Sequence, residues 1–230
     1  MTEHRAPYAA GTAEDVVAIA DIPQFRAALD LMSRLESRSI ANHSVRTYLF
    51  ARIAAAHLGV IEGSDYDDRL LFMACVLHDL GLASNDERTG RFEVVGADRA
   101  AEFLTGQCWP AAEVDAVWEA IALHSSAQIS ERRGPLCVLV REGVSADFGG
   151  AIGPGLAPTA VSDEQARVIH GAYPRFDMAS SLVEAICRQA ARDPANAPRF
   201  TLPGELLRER GDPPVQTRLE RDALASRWGS

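Results

Sequence analysis

The stretch Leu70-Leu71-Phe72-Met73-Ala74-Cys75-Val76-Leu77-His78-Asp79-Leu80-Gly81-Leu82 decides how the rest of the chain is read. It is apolar on every side until it ends in His78-Asp79 and a glycine. A surface helix shows one apolar stripe, whereas a helix apolar all round is buried, so the dipeptide arrives in the middle of the protein. Burying an unpaired carboxylate costs several kcal/mol or forces it to neutralise. Asp79 therefore needs a partner that holds its charge, and a bound metal cation would serve. On the dipeptide alone, a plain helix C-terminus accounts for the pattern at least as well, with His78 bonded to a carbonyl and Asp79 solvated in a turn that Gly81 suits.

Working outward, His43 lies upstream in Asn42-His43-Ser44-Val45-Arg46 and Asp147 downstream in Gly143-Val144-Ser145-Ala146-Asp147, both on or beside segments that read as buried helices. The ordered set His43, His78-Asp79, Asp147 resembles the HD superfamily of metal-dependent enzymes, over about residues 40–150. The resemblance implies an all-α, compact multi-helix bundle with His43, His78, Asp79 and Asp147 around one or two divalent metals. Two histidines and two carboxylates form a mixed nitrogen and oxygen shell that suits zinc, with iron or manganese also acceptable.

The 230 residues, 47% of them hydrophobic, suffice for one sizeable core. A net charge of −9 argues against a surface built for phosphate backbones, so no nucleic-acid partner is expected. Cys75, Cys108, Cys137 and Cys187 stand far apart and read as free thiols of a reducing compartment. The first twenty residues lack the apolar core of a signal peptide, and no run approaches the ~18–20 apolar residues of a membrane span. A cytoplasmic protein with a small-molecule substrate is the expectation. Residues 1–20 read as a flexible segment and 21–193 as the helical domain. Residues 194–230 read as a proline-rich extension that packs on the domain or on a second subunit, which leaves a homo-oligomer open.

Several residues beside the four ligands carry functional readings. Arg46, one turn from His43, suits either a substrate anion or a buried carboxylate. The loop after Gly81 returns as Phe92-Glu93, which makes Glu93 a candidate acid or base and Phe92 a candidate wall. His124 falls close to the apolar face of the helix that carries Val114, Val117, Trp118 and Ile121; a lone histidine there is more often a satisfied core residue than a catalyst. The resemblance raises the catalytic reading, because many HD proteins place histidines between the dipeptide and the last aspartate. Phe50, Phe72, Phe92, Trp118 and Phe148 could line a narrow pocket, although aromatics at this spacing serve equally as core. The glycine- and proline-rich run 149–158 reads as a mobile cover.

Many HD phosphohydrolases follow the dipeptide with a small pair and then a lysine or histidine suited to phosphate, where this chain has Leu82. Four stretches are instead similar to the cyanamide hydratase branch: His43-Ser44-Val45-Arg46-Thr47-Tyr48, Leu77-His78-Asp79-Leu80-Gly81, Phe92-Glu93 followed by Gly96-Ala97, and Trp118 to His124. Tyr173-Pro174-Arg175 is a weaker extension. That resemblance implies zinc-assisted hydration of a nitrile carbon, cyanamide to urea. Asp79, Glu93 and His124 would divide the acid–base work, with Arg46, Phe92 and Trp118 against the substrate. Two alternatives stand beside it: an HD phosphohydrolase acting on a nucleotide or phosphate ester, and a metal-bound regulatory domain without turnover.

Overall fold

A computed structural model describes residues 13–83, 87–150, 160–211 and 216–229. The chain is all-α, with no β-strand among the described residues. Eleven α-helices are described: α1 Ala13–Val17, α2 Pro23–Leu35, α3 Arg38–Leu58, α4 Asp68–Leu77, α5 Phe92–Gly106, α6 Ala111–Leu123, α7 Pro135–Asp147, α8 Asp163–Ala172, α9 Met178–Ala190, α10 Leu202–Arg210 and α11 Arg218–Ala225. None of them is long and apolar enough to cross a membrane. The N-terminal stretch that reads as wholly flexible contains α1, packed against α8; residues 1–12 lie outside the described set. The proposed cover over 149–158 lies outside it from residue 151 on.

The central helix α4 is buried from Leu71 to Leu77, as its all-round apolar sequence requires. Asp67 caps it by accepting from the Arg69 amide, and the helix ends at Leu77, so that His78 and Asp79 stand in the turn before a short 3-10 segment, Leu80–Leu82. Phe72 stacks on Phe25 of α2, with ring centroids 3.6 Å apart, which sets that helix across α4. Ser37 caps α3 by accepting from the Ile40 amide, so His43 enters in the helix's second turn. The long α3 packs along α7, and a Cβ on Gly143 of α7 would stand 2.2 Å from the Thr47 carbonyl oxygen. That closeness brings His43 and Asp147 together.

A second close approach fixes the dipeptide. A Cβ at Gly81 would lie 2.0 Å from the Phe92 carbonyl oxygen, and one at Gly96 would lie 2.9 Å from that of His78. The turn after His78-Asp79 is therefore pressed onto the first turns of α5, which is why the loop returns with Phe92 and Glu93 beside the site. Gly81→Ala forces backbone against backbone and is expected to cost about 1–3 kcal/mol. Differential scanning calorimetry checks this; an unchanged melting temperature contradicts it.

The main core joins α2 to α8. A smaller apolar cluster gathers Ile40, Leu82, Phe92, Val144 and Phe148 under Met178, Leu182 and Ile186 of α9, with Leu206 of α10 and Leu219 of α11. The proline-rich C-terminal segment thus forms α10 and α11, packed on α9. Its end is pinned by Trp228, whose indole N–H donates to the Ala146 carbonyl at 2.8 Å. The site lies between these two apolar layers.

Candidate metal centre

His43, His78 and Asp79 meet in the interior, with one potential ligand atom of each within 4.8 Å of the others. All three are buried. Asp79 Oδ2 stands 3.2 Å from His78 Nε2 and 3.8 Å from His43 Nε2. The other nitrogen of each imidazole is already spent. His78 Nδ1 donates to the Cys75 carbonyl at 2.7 Å, and His43 Nδ1 lies 2.6 Å from Asp147 Oδ2. A neutral imidazole that donates from Nδ1 keeps a lone pair on Nε2. Both lone pairs therefore face the Asp79 carboxylate, and His43 Nε2 and Asp79 Oδ2 are buried without a hydrogen-bond partner. Buried polar atoms are almost always satisfied. Two orphans that face one another, both acceptors, fit a cation between them, so the residues suit a divalent metal held by His43, His78 and Asp79.

Asp147 stands behind His43 and not in the cluster of three. Its carboxylate receives Arg46 Nε and Nη2, both at 2.7 Å, and Arg175 Nη1 at 3.0 Å, in addition to His43. His170 Nε2 is 3.9 Å away, its ring set between Phe50 and Trp228. In place of the four-ligand shell that the sequence suggests, the described geometry presents three groups to the metal and a fourth that orients one of them, the arrangement by which carboxylates fix metal-bound histidines.

Without a metal, a proton on His78 Nε2 takes the cation's place against Asp79. For Asp79, burial pushes the carboxyl up, but the charge and hydrogen bond of His78, with His43 and His124 beyond, outweigh it and draw it down to about 2. Burial also opposes ionisation of Asp147, and the Arg46 charge, with His170 and His43 beside the carboxylate, holds it well below the usual carboxylate range. Burial lowers His43 against the pull of Asp147, whereas for His78 the Asp79 charge overcomes burial and raises it. Burial, aided by His78, lowers His124 to about 4.

A cavity of about 190 Å³ opens on the cluster. His43, His78, Asp79 and His124 line its floor, Phe92, Val144 and Phe148 its sides, and Leu182, Leu206 and Leu219 its roof. A larger hollow of about 480 Å³ between Glu36, Asp177, Arg188 and Arg210 includes none of the three cluster residues. His124 Nδ1 donates to the Ile121 carbonyl at 2.6 Å, and its ring meets that of His78 edge-on at 4.8 Å. Glu93 is fully buried; its Oε1 accepts from Arg91 Nη2 at 2.7 Å and from the Ser125 hydroxyl, while Oε2 has no partner.

Other sequence expectations are corrected. Of the two readings of Arg46 the buried carboxylate holds and the substrate anion does not: it is enclosed, bound to Asp147 and to the carbonyls of Tyr173 and Pro174. Trp118 donates to Asp98 of α5 at 2.8 Å and does not line the cavity. Phe72 belongs to the main core with Phe25 and Tyr48, and Phe50 packs on His170 and Trp228. Phe92 and Phe148 do face the cavity. Ser125 and Arg175 escaped the reading of the sequence as site residues, although Ser125 follows His124 directly and Arg175 stands in the quoted Tyr173-Pro174-Arg175.

With the fold and cluster in place, the comparison with protein families agrees: the HD domain matches residues 40–168, more than half of the chain, and the chain belongs to the HD-domain superfamily. Its members are generally metal-dependent hydrolases that bind divalent cations. No curated protein matches the chain.

The depressed histidine has a consequence for the metal-free protein. His124 takes up a proton in the unfolded chain near pH 6.5 but in the folded one only near pH 4. Its contribution is complete above pH 6.5 and is lost as the pH falls toward 4, about 2 kcal/mol of it by pH 5. His43 acts in the same sense and His78 in the opposite one. The urea midpoint of the metal-free protein is expected to be lower at pH 5 than at pH 7; an equal or higher midpoint contradicts the assignment.

Proposed function

We propose that this chain is a metal-dependent hydratase or hydrolase of small molecules without phosphate, and that it adds water to an unsaturated carbon such as the nitrile carbon of cyanamide. The observation that carries this reading is the cavity wall. It is mainly apolar, and Glu205, Glu209 and Asp222 stand on its lining. Arg141, the arginine on that lining among the described residues, gives its Nε to Glu131 at 2.8 Å and its Nη1 to the His124 carbonyl at 3.2 Å. Carboxylates and aliphatic side chains repel a phosphate ester and suit a compact molecule of low charge. Zinc is the metal favoured for the donor set, with iron or manganese as alternatives.

His43, His78 and Asp79 would hold the metal, and Asp147 and the Cys75 carbonyl fix the two imidazoles from behind. A divalent metal in such a shell supplies an acidified water and polarises an unsaturated centre. The surrounding side chains do the rest. Phe92, Phe148 and the leucines above them exclude bulk water. Asp79, drawn down to about 2, stays ionised and serves as a ligand. His124 presents the lone pair of Nε2 and takes the proton that water gives up, and Glu93, behind Ser125, accepts that serine's proton. In cyanamide hydration the carbon gains the oxygen and both water protons end on the former nitrile nitrogen, so urea is the sole product.

The test is elemental analysis of protein purified without chelator, with urea release from cyanamide and phosphate release from nucleotides assayed on the same sample. About one metal per chain with urea formed supports the proposal. Phosphate release overturns it in favour of a phosphohydrolase, and bound metal with neither product overturns it in favour of a non-catalytic domain.

A further inference from the structure

We propose that Ser125 is a specificity residue that accepts a hydrogen bond from an N–H group of the substrate, so that the cavity selects small molecules carrying an amino or amide nitrogen. The inference rests on the reading of this cavity as the substrate site. Ser125 lines the cavity beside His124, whereas Glu93 is not on the lining and is fully buried behind it. A hydroxyl has one proton, and the Ser125 proton is donated to Glu93 Oε1. That carboxylate is fixed in turn by Arg91 Nη2 at 2.7 Å, so the serine cannot turn its proton elsewhere without stripping a buried carboxylate of a donor. Toward the cavity Ser125 therefore offers lone pairs alone.

His124 repeats the pattern one residue earlier. Its Nδ1 is committed to the Ile121 carbonyl, which accepts only, so the other nitrogen carries no proton in the neutral ring. Two successive residues of one wall thus present acceptors. A carbonyl or phosphoryl oxygen placed against Ser125 meets another acceptor, whereas an N–H finds a partner. A site built to pair with a donor discriminates strongly against an isostere that lacks one, because its own acceptor is then left unmet.

The experiment compares two ligands of equal size, acetamide and acetone, by ligand-observed NMR on the protein as purified with its metal. Acetamide is expected to bind roughly three- to tenfold more tightly. Ser125→Ala is expected to erase most of that advantage while leaving acetone affinity and metal content unchanged, and Ser125→Thr, which keeps the hydroxyl, to retain it. Equal binding of the two ligands, an unchanged ratio in Ser125→Ala, or no binding of either ligand overturns the inference. Because binding is read without turnover, a failure to form urea leaves this test intact and counts only against the proposed reaction.

Discussion

Asp79→Ala is expected to lower the divalent-metal content of the purified protein at least tenfold, and Asp147→Asn to weaken metal binding by about 10–100-fold without abolishing it. Asp79 is the anionic member of the cluster, with Oδ2 close to both free imidazole nitrogens, and removing it leaves two neutral rings that hold a cation poorly. Asparagine at 147 can either accept from His43 Nδ1 or donate to it, and it no longer carries the charge that draws Arg46 and Arg175 around it. The His43 ring then loses the fixed tautomer and direction that make its Nε2 a ligand. Elemental analysis and competition with a fluorescent zinc chelator measure both variants. Equal, complete loss in the two would make Asp147 a direct ligand and overturn the three-ligand reading.

How far the sequence discloses such a site depends on which force places each residue. Leu71 to Leu77 are apolar on every face, and burial of that helix follows from composition alone, so the arrival of His78-Asp79 inside was legible. Helix α2 is legible from a different signal, the three- and four-residue steps that put Phe25, Ala28 and Met32 on one face. The choice between the two readings of Arg46, and the place of Trp118, are not, because both depend on which way a side chain points after two helices have docked. Arg46 turns to Asp147 across the α3–α7 contact that Gly143 permits, and nothing local to residues 40–50 records that choice. Ser125 was passed over for a different reason: a serine after a helix end is ordinary, and its meaning comes only from Glu93, 32 positions away.

Arg46→Ala is expected to destabilise the protein by about 3–5 kcal/mol, a drop of roughly 10 °C or more in melting temperature. The guanidinium is fully buried, forks onto both oxygens of Asp147 and also donates to the carbonyls of Tyr173 and Pro174 at 3.0 and 3.2 Å. Its removal leaves a buried carboxylate supported by Arg175 and His43 in a volume that water enters poorly, and the two carbonyls lose their donor. Arg46→Lys is expected to restore only part of the loss, because an ammonium cannot match both oxygens of one carboxylate. The pair can also be deleted together. Arg46→Met with Asp147→Leu removes both charges and their desolvation cost, so the double variant is expected to be more stable than Arg46→Ala, while its metal affinity stays as weak as that of Asp147→Asn or weaker. Such an outcome separates two uses of one ion pair: apolar side chains can replace what it contributes to the fold, but not what it does for His43. A melting temperature for Arg46→Ala within 2 °C of the parent would show that the pair contributes little to stability and would remove this account.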